Sequence, residues 1–163
     1  MVVDSQIDHY RVSGATLPAV RQSVRANGTA SAGSRYAGFH RWNIAPSTSG
    51  CGRGTIAVRS TILVPKHANE AALAAQDRAE WTRYSEALLA HEIGHRTIIL
   101  SHVEAVRQRM MDTLVTDCRG WQAWFIREVN AELVGAWAAS ARLDTLTNHG
   151  RSEGASLRLP PQP

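Results

Sequence analysis

His91-Glu92-Ile93-Gly94-His95 reads H-E-x-x-H, and it lies inside a segment of helical character. Two histidines at i and i+4 lie about 40° apart around a helix and about 6 Å apart along it. Both imidazoles therefore share one face, within reach of a single Zn²⁺. Glu92 follows His91 at the edge of that face. From there its carboxylate can hold and deprotonate a water on the metal instead of binding the metal itself. Zinc lowers the pKa of its water to about 7, so a carboxylate suffices as base at neutral pH. The bland alternative is two histidines on the surface of an amphipathic helix. The motif falls in an uninterrupted helical stretch, with no proline or turn signal inside it, and this favours the metal reading.

The chain has 163 residues, the size of one domain with a real core. Hydrophobic residues at 44% and charged residues at 20% place it among soluble globular proteins. The longest apolar runs are short, as in Ile98-Ile99-Leu100, so no transmembrane segment is expected. The opening residues Met1-Val2-Val3-Asp4-Ser5-Gln6 lack the basic and apolar regions of a signal peptide. A leader already removed is compatible with that start. The net charge is +4, and every basic residue except Lys66 is an arginine. The arginines are scattered from Arg11 to Arg158, without the basic stripe and interleaved aromatics of a nucleic-acid surface, so no nucleic-acid partner is expected. Cys51 and Cys118 form no C-x-x-C pair, which argues against a thiolate zinc site. Their spacing suits one disulfide or two buried thiols equally.

Working outward from the motif, Ala, Leu, Glu and Arg dominate residues 69–111, with Leu73, Trp81, Leu88, Ile99 and Val106 at near-helical intervals. Asn69 is a candidate cap, and a break near residues 76–80 would make this two helices. Residues 113–120 connect to a second helix over 121–143, whose stripe of Trp121, Trp124, Phe125, Val129, Leu133 and Trp137 reads as packing against the motif helix. Upstream, residues 7–13 read as a strand and residues 17–24 as a short helix, with Thr16 as cap, Pro18 in the first turn and Asn27-Gly28 as stop. Residues 30–35 form a loop and residues 36–44 a strand. Residues 46–50 (Pro-Ser-Thr-Ser-Gly) are a turn. Residues 55–64 alternate, with Ile56, Val58, Ile62 and Val64 on one face, and Pro65 closes them. The two strands flanking the turn make a hairpin. The predicted fold class is α+β, a small antiparallel sheet with an N-terminal helix packed against long C-terminal helices in a zincin-like arrangement. A single domain is expected over residues 1–150, with an irregular tail over 151–163 whose end, from Leu159 on, is disordered. An edge strand of such a sheet can pair with an extended peptide.

A catalytic zinc takes three protein ligands and keeps one open position. His91 and His95 supply two. His102 returns to the same face but lies about 10 Å further along a continuous helix. It reads as a packed or exposed histidine. Glu128 and Glu132, on the next helix, match a glutamate third ligand in principle and ordinary surface charges equally well. The segment Asp144-Thr145-Leu146-Thr147-Asn148-His149-Gly150 offers a histidine before a glycine that can fold back onto a site. Asp144 is a possible ligand, or a carboxylate that orients a ligand imidazole. His9, His40 and His67 carry no spacing argument. The motif lacks the H-x-x-G-x-x-H extension, which disfavours a metzincin, and Met110-Met111 reads as core. Gly94 costs about 1 kcal/mol against alanine within a helix. Its expected benefit is room for a neighbour beside the metal.

Several segments, in order, carry a resemblance. Tyr10-Arg11-Val12-Ser13-Gly14 with Thr16 is similar to a Y-x-V-x-G-x-T opening. Tyr36-Ala37-Gly38 with Trp42 is similar to Y-A-G-x-T-x-W, with Phe39-His40 as a departure. Cys51 precedes an alternating strand that ends in Leu63-Val64-Pro65, the zinc motif follows, and Asp144, Thr147, His149 and Gly150 resemble a closing D-x-x-T-x-H-G. From about Tyr10 to Gly150 the chain resembles a bacterial family of unknown function described as secreted zinc-dependent proteases. Leu143 stands where that family's pattern has an aromatic. The resemblance implies a periplasmic or secreted location and with it a Cys51–Cys118 disulfide. It also favours His149 as third ligand.

The sequence therefore predicts a zinc metallopeptidase acting on a peptide or protein, with Zn²⁺ on His91, His95 and His149 and Glu92 as general base. Asp144 and Glu132 remain alternatives for the third position. Tyr84, His102 and Arg96 are candidates for the oxyanion donor. The rival reading is a zinc-stabilised binding or regulatory module in which a fourth side chain closes the open position.

Overall fold

The computed structural model describes residues 1–31, 33–115 and 117–160. Strand β1 (Val2–Val12) leads into helix α1 (Leu17–Asn27), and a small hairpin follows from β2 (Thr29–Ser31) and β3 (Ser34–Tyr36). Strands β4 (Phe39–Thr48) and β5 (Gly54–His67) precede the two long helices, α2 (Ala75–Asp112) and α3 (Cys118–Thr147). Short 3-10 turns at Glu70–Ala72 and Arg151–Glu153 flank this helical pair.

The main sheet has the order β1-β5-β4. β4 and β5 form the expected antiparallel hairpin, with Phe39 opposite Leu63 and Thr48 opposite Gly54. β1 pairs with β5 in parallel, Val2 opposite Ala57 and Val12 opposite His67, so the sheet is mixed where an antiparallel one was expected. β5 can run parallel to β1 because α1 and the β2–β3 hairpin carry the chain from the end of β1 to the outer edge, where β4 runs back antiparallel to the start of β5. The turn lies later than the sequence suggested, at residues 49–53, because Pro46 sits within β4 opposite Ile56. β4 is an edge strand, where a residue without an N–H is tolerated.

Helix α1 begins at Thr16, whose side chain makes no capping bond. Asp77 from α2 takes that part, its Oδ2 accepting the Leu17 N–H at 3.3 Å. Gly28 ends the helix because a Cβ there would lie 2.4 Å from the Tyr36 carbonyl oxygen, where the hairpin closes over the helix. The motif helix is continuous from Ala75, and its only interruption falls before it, in the 3-10 turn. At the start of α3, Asp117 accepts from the N–H groups of Arg119 and Gly120.

Two apolar clusters hold these elements together. The first joins Val12, Val20, Val24, Ile62, Val64, Trp81, Tyr84 and Leu88, from β1, α1, β5 and the first half of α2. The second joins Ile56, Val58, Val103, Val106, Trp121, Phe125 and Val129, from β5, the second half of α2 and α3. Met110 packs against this second cluster, while Met111 is exposed. The H-E-x-x-H turn lies on α2 between the two, after Leu88 and before Ile99. Both ends of α2 are thus anchored by burial, and its middle is free to carry polar groups.

Residues beyond Gly150 were expected as an irregular tail. Past the 3-10 turn the described residues form no helix or strand, yet Arg83 donates to the carbonyls of Gly154 and Ser156 at 2.7 Å each, and Glu80 accepts the Arg158 N–H at 2.7 Å. The segment is thereby strapped across α2. The expected disorder from Leu159 on falls partly on Pro161, Gln162 and Pro163, which lie outside the described residues.

Cys51 and Cys118 form a disulfide that ties the β4–β5 turn to the start of α3 across 67 residues. Closing a loop of that length removes denatured-state entropy equivalent to about 4 kcal/mol. A Cys51→Ala/Cys118→Ala variant should lose roughly that much in denaturant unfolding. A loss under about 1 kcal/mol would show that the bridge adds nothing to the packed helices.

Candidate metal centre

His91 and His95 sit one turn apart on α2, and both turn their Nε2 atoms toward the last turn of α3. The two Nε2 atoms are 3.2 Å apart. Asp144, three residues before the end of α3, places Oδ1 at 3.1 Å from each. His91, His95 and Asp144 are the one group of potential metal donors that converges in this way among the described residues. Donors bound at about 2.0–2.1 Å in a tetrahedral zinc site lie roughly 3.3 Å from one another, so this triangle has the right size.

The hydrogen-bond partners behind the imidazoles sharpen the argument. His91 Nδ1 lies 3.0 Å from Glu153 Oε2, and His95 Nδ1 lies 3.3 Å from Ser140 Oγ. An Nδ1–H donated to the Glu153 carboxylate leaves the His91 Nε2 lone pair facing Asp144 and His95. A single proton can bridge only one pair of these acceptors. A divalent cation takes all three lone pairs at once.

Close approach of the two helices depends on small residues. A Cβ on Gly94 would lie 3.2 Å from Leu143 Cδ2, so this glycine does make room for a neighbour, the residue just before Asp144. Gly150 has φ 76° and packs against the His91 ring itself, since a Cβ there would lie 2.9 Å from His91 Cγ.

Glu92 is buried beside the donors, 5% exposed. Burial pushes its carboxyl up to about 7, with His91 opposing and Asp144 adding to the shift. Gly38 exists for this carboxylate, because a Cβ there would come within 2.4 Å of Glu92 Oε1. The group opens into a cleft of about 640 Å³ whose walls include Tyr84, His40, Trp42 and Trp137. His40, which carried no spacing argument, lies in this cleft with Nε2 at 2.9 Å from the buried Ser60 Oγ. Its pKa falls to about 4 through burial, then through His95 and Arg96, so the ring is neutral.

The family of the chain follows from residues 7–150, which match a bacterial family described as "Bacterial protein of unknown function (DUF922)". The chain belongs to this family. Its extent agrees with the resemblance read from Tyr10 to Gly150, and its description carries no activity. No curated protein and no solved structure matches the chain. The chemistry of the site therefore has to carry any functional argument.

The structure brings His91, Glu92 and His95 together as predicted, and Asp144 supplies the third converging donor. His149 stands at the rim. Its side chain is 63% exposed, with Nδ1 at 3.5 Å from Asp144 Oδ1. Two left-handed residues, Asn148 and His149 itself, turn the chain away after the helix, whereas Asp144 is still on the helix face that meets the motif. Glu132 lies elsewhere. It accepts from Arg109 at 2.6 Å and pairs with His102, while Glu128 accepts from the same Arg109 at 2.9 Å. These four groups pin α2 to α3 away from the cleft, which removes Glu132 as a ligand and His102 as an oxyanion donor. Arg96 also does not line the cleft, whereas Tyr84 does. His9 is exposed on β1, and His67 is structural, bonded to the Gly14 carbonyl and the Asn69 N–H. Glu153, Ser140 and Gly38 escaped the sequence reading as site residues. Glu153 fell in a presumed tail, and Ser140 has no motif around it.

Zinc content measured by elemental analysis after reconstitution separates the candidates for the third donor. Asp144→Ala should retain little zinc and His149→Ala most of it. The opposite order would assign the third position to His149.

Proposed function

We propose that this protein is a zinc-dependent peptidase. The observation that carries the proposal is the triangle of His91 Nε2, His95 Nε2 and Asp144 Oδ1, at 3.1–3.2 Å, with a buried carboxylate beside it at the head of a cleft. These three residues would hold the ion. Zinc bound there would acidify a water to a pKa of about 7 and polarise a carbonyl. Glu92 then accepts the proton of the attacking water and returns it to the leaving amine. Tyr84, buried and lining the same cleft, offers its hydroxyl to the developing oxyanion. Burial and the charge of Glu92 both raise the Tyr84 pKa, which keeps that hydroxyl a donor.

An extended peptide has a place to lie. β4 is an edge strand of the main sheet, and its Phe39, His40 and Trp42 face the cleft, so a substrate backbone can add to its free edge. The disulfide is compatible with an oxidising compartment, and none of the described helices is long and apolar enough to cross a membrane. A periplasmic or secreted peptidase fits both.

A second reading has one observation in its favour. His149 lies beside Asp144, and a fourth side chain on the ion would close the open position and leave a structural site. Glu92→Gln distinguishes the two. In a peptidase it should keep about one zinc per chain and lose turnover on a quenched-fluorescent peptide library by roughly a hundred-fold or more. Absence of hydrolysis by the fully zinc-loaded wild type would favour the structural site. Undiminished hydrolysis by the variant would remove Glu92 from the mechanism.

A further inference from the structure

The cleft that holds the metal site is also lined by Arg21 and Arg25 of α1, by Arg35 of β3 and by Arg151. Among the described residues its carboxylates are Glu92 and Asp144, both at the metal site. Four arginines outside the cleft have carboxylate partners. Arg59 pairs with Asp4, Arg83 with Glu80, Arg107 with Glu104, and Arg109 with Glu128 and Glu132. None of those arginines lines the cleft, and among the described residues no carboxylate lies within ion-pair distance of the four that do. Arg21 and Arg25 are four residues apart and so share one face of α1, with Val24 of the same helix buried next to them. Arg35 is held in place by one guanidinium nitrogen, Nη1 donating to the Gly28 carbonyl at 2.9 Å. That bond fixes the guanidinium over the end of α1. Arg21 is half-buried and Arg25, Arg35 and Arg151 are exposed, so the four gather positive charge along one wall of the cleft without a counter-ion among the described residues.

We propose that this arginine wall is a substrate subsite that binds a carboxylate of the peptide. The proposal rests on the peptidase reading only in taking the cleft as the face where substrate lies. The fork of a guanidinium matches a carboxylate with two parallel hydrogen bonds, and that planar match is lost with a neutral side chain. A long polyanion is a poorer fit, because the same cleft presents Glu92 and Asp144 to it. The carboxylate comes either from an Asp or Glu side chain or from the C-terminus of the peptide. The two sources share the chemistry and differ in where the peptide must end.

Fluorescence anisotropy on the zinc-loaded Glu92→Gln protein tests this without requiring turnover. The probes are fluorescein-labelled hexapeptide pools with one Glu position, matched pools with Gln there, and each pool as free acid and as C-terminal amide. Carboxylate-bearing pools should bind at least ten-fold more tightly than neutral amidated ones. Adding Arg21→Gln/Arg25→Gln should erase that preference and leave the neutral pools unchanged. Adding Arg21→Glu/Arg25→Glu instead should turn the preference toward Lys-containing pools, a reversal that mere structural damage does not produce. Tight binding that survives amidation in the Glu pools assigns a side-chain carboxylate, and binding lost on amidation assigns the C-terminus. Equal binding of acidic and neutral pools overturns the proposal, as does an unchanged preference in the arginine variants or no binding of any acidic pool at millimolar concentration. Carboxylate selectivity in a protein whose wild type hydrolyses nothing would sink the peptidase reading and leave the subsite standing.

Discussion

Everything at the centre of this fold depends on how closely the last turn of α3 approaches the middle of α2. Gly94 removes a side chain from that seam, Leu143 fills the space, and the next residue, Asp144, reaches two imidazole nitrogens at 3.1 Å. With the His91 Nδ1–H donated to Glu153, a cation among the three would take their lone pairs at once. The apolar clusters at either end of α2 supply the burial that holds them there. The candidate site is thus a place where the fold is held together from outside, by residues that do not touch the donors.

A second layer gives the site its orientation. The strap from Gly150 to Arg158 is fixed to α2 through Arg83 and Glu80, and it carries Glu153 to His91 Nδ1. Gly150 lies against the His91 ring, and Gly38 lies against the Glu92 carboxylate. Both glycines are there because a Cβ would collide with a site residue. The strap and the β3–β4 connection therefore act as walls that set which nitrogen faces the converging donors and where the carboxylate points.

Local patterns were legible in the sequence. The i, i+4 histidines, the alternation of residues 55–64 and the hairpin all follow from neighbours along the chain, and each is present. What escaped was non-local or depended on weak helix formers. The parallel pairing of β1 needs a partner more than fifty residues away, and the outer half of β1 is exposed and carries little pattern. Helix α3 runs past Leu143 through residues that read as loop. Thr145 and Thr147 turn their hydroxyls back to the carbonyls of Ala141 and Leu143, which lets a polar sequence remain helical. That extra turn is what puts Asp144 on a rigid helix facing the histidines. The preference for His149 over the aspartate comes from the family resemblance, not from the residues themselves.

The account's central claim is that His91, His95 and Asp144 bind one zinc in an open site. X-ray absorption at the zinc edge of the stoichiometrically loaded protein tests it most directly. The prediction is a first shell of nitrogen and oxygen only, at about 2.0–2.2 Å, with the outer-shell scattering of two imidazoles. Zinc surrounded by no imidazole, or a protein that takes up no zinc at all, would contradict the account.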